Sequence, residues 1–343
     1  LQHRRDVVQE RAGEGADRRV AHQLVDARAG DARRVGADDD RAGAALRGLD
    51  QVLDHVAGQR AGADRADPDA AVAVLLDGRA SWVELERTLA VDGGLVARVL
   101  RLASTSAFCA RQVTSLRYAV QALGSDQLRR VVVAAQFAGG GTPFTRALWA
   151  YALRIACTSD ALARHVASSP AADPFLCGLL HDVGTMALER FLGPSYTRAG
   201  FAPGDDAQVE IERDAFGFDH GDVGALVAAR WRLFPELGPV AQFHHRPDAT
   251  LAQTLPRTTR AAIDIVALAR AVTAPRRAAP LAPDAVDLDA LGPDVLDPDA
   301  LDPDVLGPEV APLCARLGIA PGEALARGVE GQQLAHELIS GLG

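Results

Sequence analysis

The 343 residues, 48% of them hydrophobic, suffice for one large or two medium domains with a substantial core, and the net charge is −9. The sequence has neither lysine nor asparagine, so all 36 basic residues are arginine. That excludes a P-loop lysine, a Schiff-base lysine and a lysine-dependent phosphoacceptor domain. The acidic surplus lies in residues 283–309, which hold nine acids and no base; elsewhere acids and bases balance at 36 each. With no basic stripe, nucleic acid is not an expected partner. Four widely spaced cysteines (Cys109, Cys157, Cys177, Cys314) form no CxxC pair, which speaks against a zinc ribbon or a disulfide scaffold. No apolar run approaches a membrane span and no signal-peptide core is present, so a cytoplasmic location without membrane contact is expected.

Residues 1–69, with twelve Arg against fourteen acids and interrupted periodicity, read as a low-complexity leader, disordered, weakly helical or a spurious start. From about residue 70 helical periods take over. Val74, Leu75, Val83, Leu85 and Leu89 give two short helices, and Leu95, Val96, Val99, Leu100 and Leu102 another. Leu116, Val120 and Leu123 precede a C-cap candidate, Gly124, after which Ser125 and Asp126 open a helix striped by Leu128, Val131, Val132 and Ala135. Residues 139–142 are read as a hinge. Leu148, Ala152, Ile155, Ser159, Leu162 and Val166 then mark one long amphipathic helix.

Further helices are expected through Met186–Leu192, over 207–215, and from Val223 to Trp231, with a break at Pro235. Four five-residue units starting at Leu291, Leu296, Leu301 and Leu306 each carry a proline, so an extended acidic linker is expected over 276–310. Helical spacing returns over 311–343. Few stretches alternate with period two, and the fold class is therefore all-α.

Chemistry concentrates in Gly178-Leu179-Leu180-His181-Asp182-Val183-Gly184. Two leucines ask for burial, and the imidazole and carboxylate beside them are costly to bury unless paired or bound to a cation. The nitrogen and oxygen they offer suit Zn, Fe or Mn once further ligands converge. His220, His244 and His245 are the candidates. The last two precede Pro247 at an expected helix C-terminus, where the helix dipole should raise their basicity.

Residues from about 70 to 275 resemble an HDOD domain, the signalling offshoot of the HD and HD-GYP metal-dependent phosphohydrolases. The resemblance is carried by Val99–Ala103, Ala107-Phe108, Val113–Leu116, Ala119-Val120, Leu123-Gly124, Leu148-Trp149 and the stretch from Gly178 to Gly184. It continues in Glu212, Gly217, His220, Val223–Ala225, Trp231 and His244–Pro247. Four positions depart from the pattern. Ser104 replaces an Asn, and Tyr151 stands where catalytic HD relatives have a histidine. Arg270 stands where they have a closing aspartate, and Thr185 where cyclic-dinucleotide phosphodiesterases have a lysine.

The resemblance implies a two-lobed helical fold, with lobes at 70–138 and 143–275; the interface between them, which the hinge at 139–142 can open, is the expected interaction surface. It implies a non-catalytic bacterial signalling or regulatory module that binds a protein partner and expects no cofactor. The alternative is a phosphohydrolase acting on a nucleotide or cyclic dinucleotide with a divalent Fe, Mn or Zn ion on His181, Asp182, His220, His244 and His245. A third reading is a nucleotide sensor without turnover. Arg270, Thr185 and Tyr151 are expected to contact phosphate or to complete a polar core, with Asp182 pairing to Arg270 or to a protonated histidine. Losing a His and a carboxylate ligand and gaining a guanidinium argues against hydrolysis.

Overall fold

The computed structural model describes residues 93–105, 113, 115–137, 142–167, 170, 172–193, 196, 203–230, 233–273 and 307–340. The expectations for 1–69, for the helices before residue 93, for Trp231 and for the linker up to 306 fall outside the described residues. So does the hinge, apart from Thr142. Among the described residues there are helices and no strand, so the fold is all-α.

In chain order the helices are α1 (Gly93–Ala103), α2 (Leu116–Phe137), α3 (Pro143–Ala163), α4 (Pro174–Leu180), α5 (Val183–Leu192) and α6 (Ala207–Phe216). They continue with α7 (His220–Arg230), α8 (Leu237–Phe243), α9 (Thr250–Gln253), α10 (Arg257–Thr273), α11 (Val310–Leu317) and α12 (Pro321–Ser340). Within α2, Gly124 sits at φ 74°, so the helix breaks where the sequence places a cap and a restart.

The fold is organised around α3. Thr142 caps it by accepting from the Thr145 N–H at 3.2 Å, and Pro143 occupies its first turn, where a missing N–H costs nothing. Its stripe predicts an amphipathic helix with one solvent face. Instead the small side chains of Ala147, Ala150, Ala152 and Ala156 let neighbouring helices approach from several sides, and the run from Ala147 to Leu153 is buried without interruption. Leu148, Leu153, Ile155 and Leu162 are fully enclosed, each worth about 1.5–3 kcal/mol of burial.

The N-terminal pair α1 and α2 shares one core with α3 and α4 through Val99, Leu102, Val131, Trp149 and Leu176. Polar contacts fix that junction: the Trp149 indole donates to the Ala134 carbonyl at 3.1 Å, and Arg130 bridges Asp160 (2.9 Å) and Asp173 (2.8 Å). Helices α10 and α12 also pack against α3, and α11 packs on α10, burying Ile265, Leu268, Leu313, Leu325 and Cys314. A third cluster under α5, α6 and α7 holds Leu188, Phe191, Ile211, Val223 and Val227. The helices after residue 307 are therefore part of the packed body. No helix among the described residues is long and apolar enough to cross a membrane.

Candidate functional site

The HD dipeptide occupies the break between α4 and α5. Asp173 caps α4 by accepting from the Phe175 and Leu176 N–H groups. Helix α4 lies so close to α3 that a Cβ on Gly178 would stand 2.7 Å from the Ala156 Cα. Glycine is required there, and the close approach turns His181 inward.

Its ring is 1% exposed, and Nδ1 donates to the Gly178 carbonyl at 2.6 Å. His244, at the end of α8, repeats that arrangement by donating from Nδ1 to the Ala241 carbonyl at 2.7 Å. His220 opens α7, whose first turn is held by Asp219 accepting from the Asp222 N–H at 3.0 Å. Its Nδ1 lies 2.8 Å from a Glu212 carboxylate oxygen, which also accepts the His220 backbone N–H at 2.7 Å.

All eight residues expected from the sequence meet in one cluster. The His181 and His244 rings stand edge to face at 4.9 Å, and His220 lies 5.4 Å from His244 and 4.9 Å from His245. Tyr151 packs on His181 at 5.9 Å. Thr185 donates to Asp182 Oδ1 at 2.6 Å, and the same oxygen is 3.6 Å from His220 Nε2.

Arg270 does not pair with Asp182. It donates to Asp206 Oδ1 at 2.7 Å, to the His244 carbonyl at 3.1 Å and to the Gly204 carbonyl at 3.4 Å, with Nη2 3.0 Å from His245 Nδ1. Asp206 also accepts from His245 at 2.7 Å. The loop before α6 thus supplies the nearer carboxylate, and Asp182 is left to Thr185 and His220.

Sequence reasoning missed Asp206, Gln208 and Tyr196, and quoted Glu212 without giving it a role. Glu212 is fully buried and accepts from Tyr196, from Gln208 (2.8 Å) and from His220. Gln208 also donates to Thr185 at 3.2 Å. The available signal was the i, i+4 spacing of Gln208 and Glu212, which puts both on one face of α6.

Burial sets the charge states. It drives His181 down to about 4, with Asp182 opposing, and drives His244 and His245 well below the ordinary histidine value. The helix-dipole expectation for the histidine pair is thereby corrected: desolvation and neighbouring positive groups outweigh a terminal dipole worth about 0.3–1 kcal/mol. His220 moves the other way. Burial, its largest single influence, lowers it, but the Glu212 and Asp182 carboxylates outweigh burial and raise it to about 9. Asp182 is held low despite burial, chiefly by His220 and His181. Arg270 stays charged against its own burial, paired with the Asp206 carboxylate.

Two facts bear on a metal. The Nε2 atoms of His181, His220 and His244 are buried without a hydrogen-bond partner, and His220, His244 and His245 each bring a ring nitrogen within 4.8 Å of the others. An Nδ1–H tied to a carbonyl or carboxylate, with Nε2 open, is the arrangement of metal-bound histidine. This nitrogen-rich set with Asp182 fits one first-row divalent cation. It offers nothing further at the closing position, where Arg270 stands. Without metal, positive groups already stand against the site's carboxylates, His220 beside Asp182 and Glu212 and Arg270 beside Asp206.

Among known proteins, the HDOD domain matches residues 70–247, a stretch that stops short of Arg270. No curated protein matches the chain. An HDOD domain protein from Geobacter sulfurreducens is 24% identical, with a TM-score of 0.54 over 84% of this chain and 97% of its own. A protein from Shewanella amazonensis SB2B, named provisionally a phosphohydrolase, is 21% identical, with a TM-score of 0.57 over 87% of this chain and 98% of its own. A provisionally named signal transduction protein from Marinobacter aquaeolei VT8 is 17% identical, with a TM-score of 0.57 over 88% of this chain and 65% of its own. At such identities the likeness is one of fold. With the matched domain covering more than half of the sequence and the helical order in agreement, the chain belongs to the HDOD domain family.

Proposed function

We propose that this chain is a non-catalytic signalling or regulatory domain that acts by binding a protein partner, with the HD motif kept as a structural polar core. The observation that carries this reading is Arg270. Its guanidinium is enclosed at the closing position, donates to Asp206 and the His244 carbonyl, and touches His245. A permanent positive charge there repels a cation that would activate water and neutralise phosphate. Signalling is the role that the HDOD family and the name of the Marinobacter relative suggest.

A second reading is favoured by the three unpartnered Nε2 atoms. His181, His220 and His244, with Asp182, would hold one divalent cation, and such an ion supplies Lewis acidity and a more acidic bound water. The chain's own residues would then orient the ring nitrogens through Gly178, Glu212 and Ala241.

Turnover separates the two. With Mn, Fe or Zn supplied, hydrolysis of a cyclic dinucleotide and of bis(p-nitrophenyl) phosphate should not exceed the rate with the metal alone. Hydrolysis above that rate, abolished by His181→Ala, would overturn the non-catalytic reading.

A further inference from the structure

We propose that the cavity between α10 and α11 is a binding site for a small phosphoryl oxyanion, held by Arg257 and Arg260. The cavity measures about 140 Å³ and is lined by Gln253, Arg257, Arg260, Asp264, Arg316 and Leu317. It shares no lining residue with the cavity beside the histidine cluster, and it lies beyond residues 70–247. Residues 257, 260 and 264 recur at steps of three and four, so one face of α10 forms its floor, and α11 supplies the facing wall.

The charges in it do not cancel. Arg316 takes both nearby carboxylates: Nε and Nη2 donate to Asp264 at 3.0 and 2.8 Å, and Nη1 donates to Asp248 at 2.6 Å. The Arg257 side chain is exposed and makes no hydrogen bond or ion pair among the described residues. Arg260 makes one long bond, 3.5 Å from Nη1 to Gln253 Oε1, and its Nε is buried without a partner. Three guanidinium groups thus line a cavity with one carboxylate, Asp264, which Arg316 holds through two hydrogen bonds and Arg260 attracts only through space.

A buried, unpaired Nε–H is a donor awaiting an acceptor. Two guanidinium groups present forked N–H donors, and a tetrahedral oxyanion supplies several acceptor oxygens and up to two negative charges. The cavity is small enough to enclose one phosphoryl group while the remainder of an ester stays in solvent.

Calorimetric titration of the full chain at low ionic strength tests this, using inorganic phosphate, a nucleoside monophosphate and acetate as probes. Saturable one-to-one phosphate binding is expected, weakened about tenfold or more in Arg257→Ser/Arg260→Ser, in line with the worth of charged hydrogen bonds. The single Arg257→Ser change removes an exposed, unpaired side chain and leaves the fold unstrained, so weakened binding there cannot be ascribed to unfolding. Tighter binding of the monophosphate than of phosphate would identify an ester as the source, and the reverse order would identify the free ion; both uphold the site. Absence of saturable binding, binding unchanged in the double variant, or acetate binding as well as phosphate would overturn it.

Discussion

Gly184→Ala should be the most damaging glycine-to-alanine change among the described residues, lowering the free energy of unfolding by about 3 kcal/mol or more. The added Cβ would overlap the His220 carbonyl oxygen, far inside van der Waals contact, and would stand 2.7 Å from the Gly224 nitrogen. Both obstacles are backbone of α7, so no side chain can turn aside and α5 must move away from α7. That movement separates Asp182 and Thr185 from His220 and pulls the polar core apart. Gly238→Ala is the matched control, since its Cβ would meet nothing nearer than 3.9 Å. Urea denaturation of the two variants should show a large loss for the first and a change within about 1 kcal/mol for the second.

The second large effect is expected at the His220–Glu212 pair. Glu212→Ala leaves an imidazolium enclosed without its main partner and should cost about 3–5 kcal/mol near neutral pH. The pair also predicts a pH dependence in metal-free protein. His220 has a folded value of about 9, against an ordinary 6.5. Its contribution is therefore full below about pH 6.5 and is lost as pH rises through about 9, amounting to about 3 kcal/mol. His181, at about 4, and His244 and His245, also depressed, act in the opposite sense: their contribution is present above about pH 6.5 and lost as pH falls. Stability should peak near neutrality. In Glu212→Gln, which keeps the shape and removes the charge, the alkaline loss should shrink. An unfolding series that shows the same alkaline slope in both proteins would refute the ion pair.

The sequence made the cluster's members legible because histidines and a carboxylate stood inside apolar helical runs, where only pairing or a cation makes them tolerable. Helix boundaries near Gly124, Gly193 and Gly217 were readable for a local reason, the caps themselves. What the sequence left open depends on tertiary approach. Asp206 is an ordinary loop acid until the fold sets it against Arg270 and His245. Tyr196 and Gln208 acquire roles only because α6 lays its inner face on α5 and α7. The pair His244-His245 illustrates the limit most clearly: a helix end suggests raised basicity, but the depth of burial, which sequence does not give, decides the sign.

On the proposed reading, His220 and Arg270 already supply the positive charge for which an HD enzyme recruits metal. Metal content by mass spectrometry tests it most directly, on protein purified without an affinity-metal step from cells supplied with Fe, Mn and Zn. Metal far below one ion per chain is expected, unchanged when His181 and Asp182 are replaced by alanine. One or two ions per chain, lost in that variant, would contradict it.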